Sequence, residues 1–377
     1  MTRRQATRQL AGFLAASPLL AAPQEQLINV FDFDAAAKGK LPKAAYDYVS
    51  GGSWDEWTLR RNRTMFERII LQPRFFREVN KLDLSLTLFG QKMAMPILVA
   101  PTGTHALVHP DGELATVRGA GAAGAGMVVS TSSSFPIEKI SAEAKTPLWF
   151  QLYTGPDAEG TRERVSRAVT AGCKAICVTV DAPYQAPRER DTRNGLVRVF
   201  GEDKGGTRQR RYSEEAPGSP YGLPMRFQAT LNWKFLDQLC AYAKVPVLVK
   251  GILTREDALL ALQHGAAGMI VSNHGGRYLD GAPSTIEVLP GIVDAVKDRA
   301  PVLIDSGFRR GTDILKALAI GAKAVLVGRP PLWGLGAQGQ DGVQRVLEIL
   351  RTELAWAMGL AGRATLASVD RSLIRIE

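Results

Sequence analysis

Between residues 96 and 328, short apolar runs alternate with amphipathic stretches. The runs cover residues 96–100, 127–130, 148–152, 175–181, 246–250, 268–272, 302–305 and 324–328. They lack the polar alternation of a half-exposed strand, which predicts parallel strands covered on both faces. Residues 111–121, 156–171, 254–264 and 310–320 instead repeat apolar positions every three to four residues, the period of helices packed on a sheet. Gly124, Gly172, Gly265 and Gly321 each separate a helical stretch from the next run, where a left-handed residue has to end the helix. Eight strands alternating with helices predict an α/β fold, a (β/α)8 TIM barrel. An open doubly wound sheet is the alternative, but neither a G-x-G-x-x-G turn nor a P-loop follows the first run.

The flanks break the repeat. Residues 24–95 form an N-terminal helical extension ahead of the barrel at 96–377, with a helix expected over 42–50 and stopped by Gly51 and Gly52. The interval from Asp181 to Pro246 is far longer than its siblings, and its stretch from about 185 to 230 is rich in Gly, Pro, Ser and charge. Such a segment inside a compact domain predicts a mobile loop after strand four. Residues 1–23 carry Arg3 and Arg4 ahead of an apolar stretch ending in small residues and Pro23. That order predicts a twin-arginine export signal to the periplasm, or else an N-terminal arm on a cytoplasmic protein.

Composition narrows the function. Of 377 residues, 45% are hydrophobic and 22% charged, which excludes disordered and fibrous classes. The net charge is +10, but residues 1–23 hold three arginines without an acid, and residues 185–211 hold eight Lys or Arg against four Asp or Glu. The remaining chain is nearly balanced, so no nucleic-acid partner is expected. The longest apolar run, residues 10–23, is interrupted by Ser17 and Pro18 and is too short for an integral membrane segment. Three cysteines and four histidines make neither a disulfide framework nor a zinc site, and no metal is expected.

Candidate chemistry gathers at the carboxyl ends of the strands, the active end of such barrels. Those ends read Pro101-Thr102-Gly103, Ser130, Gln151-Leu152-Tyr153, Thr179-Val180-Asp181, Lys250, Ser272-Asn273-His274, Asp305-Ser306-Gly307 and Gly328-Arg329. A ring of polar groups converging in space predicts a ligand site. Asp305-Ser306-Gly307-Phe308-Arg309 opening a helix, with Arg329 nearby, suits a phosphate through amide groups and paired guanidinium bonds. His274 suits a base near neutral pH, Arg277 a carboxylate clamp, and Asp181 a partner for the histidinium.

This ordered set resembles the FMN-dependent L-2-hydroxy-acid oxidases and dehydrogenases, among them glycolate oxidase, lactate oxidase and mandelate dehydrogenase. The anchors are Leu41-Pro42-Lys43 through Tyr48, Gln151 to Tyr153, Thr179 to Asp181, Leu248-Val249-Lys250-Gly251, Ser272 to Arg277 and Asp305 to Gly311. The resemblance implies FMN at the barrel mouth. Arg309, Arg329 and the backbone of Asp305 to Arg309 would hold its phosphate end, with Gly328 alongside. Pro101, Thr102 and Gly103 would approach its ring by backbone, and Ser130, Gln151, Thr179, Ser272 and Lys250 would bond it, with Tyr153 between flavin and substrate. Arg188 and Arg277, helped by Tyr48 and Tyr153, would clamp a 2-hydroxy acid. His274 would take its proton with Asp181 behind, and electrons would pass to flavin N5 and then to oxygen or another acceptor. A homo-oligomer, a tetramer, is implied in the same way. Two positions depart from glycolate oxidase: Ser132 replaces a large aromatic residue, which predicts a substrate larger than glycolate (lactate, mandelate or similar), and Gly103 replaces alanine near the flavin. An FMN-dependent isomerase and a non-catalytic flavin-binding barrel are the competing readings.

Overall fold

The apolar runs form eight short strands, β1 (Ile97–Val99), β2 (Gly126–Ser130), β3 (Leu148–Leu152), β4 (Ile176–Thr179), β5 (Val247–Ile252), β6 (Gly268–Val271), β7 (Val302–Ile304) and β8 (Ala324–Val327). They close into one parallel barrel in chain order, with β8 pairing back onto β1. The expected (β/α)8 barrel is thus the fold of this computed structural model, which describes residues 27–155, 157–199, 206–209 and 231–377. The expected export signal lies outside the described residues, as do residues 200–205 and 210–230 of the expected loop.

Side chains alternate between the two faces of a strand, so every barrel strand has an inward and an outward series. The inward series contributes Leu98, Val128, Trp149, Cys177, Leu248, Ile270, Leu303 and Leu326 to one enclosed apolar cluster. The outward series, such as Ile97, Val99, Val129, Phe150 and Val249, packs under the surrounding helices. Two residues beyond each inward apolar residue, in the same order, stand Ala100, Ser130, Gln151, Thr179, Lys250, Ser272, Asp305 and Gly328. Register confirms that these ends are neighbours: Ser130 lies opposite Gln151, and Thr179 opposite Lys250. One alternation therefore builds both the packed interior and the polar layer above it.

Helices Gly112–Ala123, Ala158–Thr170, Arg255–Gln263 and Gly311–Ile320 match the expected helices within a few residues. The glycines after them, Gly124, Gly172, Gly265 and Gly321, have φ of 78, 102, 83 and 129°, as a helix stop of that kind requires. The amino end of the barrel is plugged by an antiparallel hairpin, Leu86–Leu88 with Gln91–Met93. Its tip residue Phe89 meets Trp149 edge-on, with ring centroids 5.6 Å apart, and the Trp149 indole N–H donates to Gln91 Oε1 at 3.0 Å.

The extension supplies helices Val30–Lys40, Lys43–Ser50 and Trp57–Thr64. The last two lie over the carboxyl end of the barrel, where Asn62 and Asn273 exchange side-chain hydrogen bonds and Asp280 accepts from the amide of Thr58. The final strand, Ile374–Ile376, pairs antiparallel with Ile69–Leu71 of the extension rather than with the barrel. Within the expected loop, Glu189–Arg193 is helical, and Leu196–Val199 forms a hairpin with Gly206–Gln209. Among the described residues, no helix is long and apolar enough to cross a membrane.

Candidate active site

A single cleft at the carboxyl end is lined by Tyr48 from the extension and by Pro101, Thr102, Gly103, Ser130, Tyr153, Lys250, His274, Arg277, Asp305, Ser306, Gly307, Phe308, Arg309, Gly328 and Arg329. The structure thus brings together most of the residues singled out in the sequence. Gln151, Thr179 and Ser272 are buried at neighbouring strand ends but do not line the cleft. Asp181 and Arg188 also stand off its surface, each touching it through another residue: Asp181 through His274 and Arg188 through Tyr48.

His274 follows β6 in a turn whose successive residues His274, Gly275 and Gly276 all have left-handed backbone, with φ of 57, 66 and 72°. A histidine held there is strained, a condition that persists where the surroundings enforce it. Its Nδ1 lies 2.8 Å from Asp181 Oδ1, and the edge of Tyr278 packs on its ring at 4.6 Å. Gly251, with φ of 117°, makes room for Asp181, because a Cβ at 251 would stand 2.8 Å from the Asp181 Cβ. Burial and the nearby Lys250 ammonium hold the imidazole below its ordinary pKa, against the pull of Asp181. Asp181 in turn stays below the usual carboxylate range despite burial, because His274 and Lys250 favour its charge.

Lys250, 3% exposed, lies 3.2 Å from Asp305 Oδ2 and donates to Ser272 Oγ at 2.8 Å. Burial opposes its charge, yet Asp305 and Asp181 together raise its pKa. The opposite wall is arginine-rich. Arg329 donates to the carbonyls of Val49 and Gly51 at 3.0 and 2.7 Å, and Arg277 donates to Gly51 at 2.9 Å. Both therefore sit on the carbonyl end of helix Lys43–Ser50, where the helix dipole favours cations. Gly275 admits Arg329, since a Cβ there would meet its guanidinium at 2.6 Å. Arg188 and Arg277 flank the Tyr48 ring at 5.1 and 5.2 Å, and Arg188 pairs with Asp191 at 2.9 Å.

Burial and mutual repulsion push Arg277 and Arg329 down to about 9 and Arg309 down to about 10. Buried guanidinium groups held against one another make an anion receptor. One expectation changes here. Three amides at the helix start are already taken: those of Arg309 and Arg310 donate to Asp313 Oδ2 at 2.9 and 3.0 Å, and that of Gly311 to Glu353 at 2.8 Å, while Ser306, Gly307 and Phe308 line the cleft. Carboxylates already satisfy that positive helix end. Arg309, stacked over Trp333 at 4.5 Å, adds side-chain positive charge to the cleft.

The sequence profile of the FMN-dependent dehydrogenase family matches residues 37–376. The chain is 42% identical over 357 residues to a peroxisomal (S)-2-hydroxyacid oxidase of Arabidopsis thaliana, covering 94% of this chain and 98% of that one. It is 45% identical over 359 residues to an L-lactate oxidase of a Nostoc species, covering 93% and 98%. The chain belongs to the FMN-dependent 2-hydroxy-acid oxidase family. A mandelate oxidase solved with benzoyl-formic acid superposes with a TM-score of 0.83 at 40% identity, over 93% of this chain and 99% of that one. The protein is accordingly an FMN-dependent oxidoreductase acting on a CH–OH group, which displaces the isomerase and non-catalytic readings.

The cleft fits FMN on its own terms. The buried arginines suit the phosphate, and the Lys250 cation suits a flavin that gains negative charge on reduction. Beneath them, Gln151 carries a buried Nε2 with no partner among the described residues. Sequence reasoning missed Tyr278, the Gly51 carbonyl and Trp333. Nothing in a linear stretch shows that a ring will pack on His274, or that one carbonyl will hold two arginines.

Proposed function

We propose that this enzyme oxidises an L-2-hydroxy acid larger than glycolate to its 2-oxo acid, with His274 as the base. The observation that carries this reading is the His274–Asp181 pair opening onto the same cleft as Arg277, Tyr48 and Tyr153. The Asp181 contact at Nδ1 leaves Nε2 of neutral His274 to take the hydroxyl proton, and Asp181 then stabilises the charged ring. Arg277, with Arg188 beside it on Tyr48, clamps the substrate carboxylate and turns the α-carbon toward the cofactor. Arg309 and Arg329 hold the cofactor's phosphate end, and Lys250 favours the reduced, more negative cofactor. Bound FMN supplies the two-electron acceptor for the α-carbon hydrogen, and oxygen or another acceptor takes the electrons on. Gly103 lines the cleft with Ser132 packed closely behind it, and the size reading rests on the small side chains at these two positions.

The test is a visible spectrum of the holoenzyme under argon during titration with glycolate, L-lactate and L-mandelate. The flavin band should bleach with lactate or mandelate at lower concentrations than with glycolate. A preference for glycolate would overturn the size assignment. Readmitting air then reads the acceptor, since prompt return of the band identifies oxygen.

A further inference from the structure

The loop after β1 rests on a buried polar cluster that the mechanism above does not use. His105 and Glu113 are both fully buried. His105 Nε2 lies 2.7 Å from Thr102 Oγ1, and its Nδ1 lies 2.9 Å from Thr116 Oγ1. The Glu113 carboxylate accepts the amides of His105 and Ser134, each at 3.0 Å, and so ties the loop after β1 to the loop after β2. The Thr104 amide adds a bond to the Ser132 carbonyl at 3.0 Å. The two loops are so close that a Cβ on Gly103 would stand 2.9 Å from that of Ser132. Thr104 itself is left-handed, with φ of 61°.

From this we infer that His105 is a positioning residue for the cofactor-facing loop. By holding the Thr102 hydroxyl inside the wall it fixes the backbone of Pro101, Thr102 and Gly103, which lines the cleft, while Glu113 fixes the backbone of His105. Burial keeps the His105 ring below its ordinary pKa, hence neutral, with one N–H and one lone pair for the two threonine hydroxyls. The Thr102 methyl faces the other way, since a Cβ on Gly328 would meet its Cγ2 at 3.4 Å. The inference rests on FMN occupying this cleft, but not on the identity of the acid.

The test reads FMN affinity, by quenching of flavin fluorescence on titrating the deflavinated protein, together with the visible spectrum of the bound flavin. No substrate is present, so failure here is separate from failure of the proposed reaction. His105→Asn keeps a polar group near Thr116 but does not reach Thr102, whereas His105→Gln reaches the Nε2 position. Asn should weaken FMN binding about tenfold and shift the flavin band, and Gln should restore both. In a Thr102→Val background the Asn change should add nothing, because the bond it breaks is already gone. Equal losses from Asn in both backgrounds, or Gln behaving as Asn, would overturn the inference. Should the His105 variants not fold, Thr102→Val against Thr102→Ser decides it: Val with wild-type affinity and spectrum would end the proposal.

Discussion

The two ends of the barrel are made by the same eight strands and differ in almost everything else. At the amino end, Leu88, Phe89, Met93 and Trp149 close the interior with apolar contacts, and the indole N–H meets Gln91. At the carboxyl end, two residues further along each strand, stand Lys250, Asp305, Ser130, Gln151 and Thr179, with His274 and Arg329 in the loops beyond. The open end holds arginines pushed well below their ordinary pKa by burial and by one another, a state that an anion relieves. The difference teaches where stability and chemistry lie: apolar layers below hold charges in place above, some paired as Lys250 is with Asp305 and others, the buried arginines, set against one another.

Substitutions at the two ends should therefore separate activity from stability. His274→Gln should lower flavin reduction by about 10⁴-fold while FMN stays bound, because only the proton acceptor is lost. A loss of less than about tenfold would break the division between the ends. Trp149→Ala should cost about 3–5 kcal/mol in denaturant unfolding, yet leave the turnover of the folded fraction within about twofold. A selective loss of turnover would show the plug to be part of the site. Arg277→Met should lower kcat/KM about a hundredfold, mainly through KM, with unfolding nearly unchanged. The smallest effect is in pH. The base has to be neutral, and burial with Lys250 holds His274 below its ordinary 6.5. Hence kcat/KM should fall by no more than about twofold between pH 8 and 6.5, and drop below that. An acid limb centred above 6.5 would reverse the sign assigned to the burial of His274.

The sequence showed the eight strands because runs buried on both faces are continuously apolar, and glycine stops marked the start of four of them. That same continuity hid which residues face inward. Only the packed barrel shows that Lys250 continues the inward series of Leu248, and Asp305 that of Leu303. Asp181 and His274 were readable as partners from their strand ends, and they lie 2.8 Å apart. The hairpin plug carried no such signal, since strands of three residues are too short to show a period. The helix start at Gly311 promised free amides, but Glu353 is 42 residues away along the chain and only folding brings it there.

The most direct test of the open end as a hydroxy-acid site is a single turnover under argon, with L-mandelate carrying hydrogen or deuterium on its α-carbon. The holoenzyme should lose its flavin band in one phase, slowed severalfold by deuterium. A band that survives both forms of L-mandelate and survives L-lactate as well would contradict α-carbon oxidation as the chemistry His274 and Arg277 are arranged to perform.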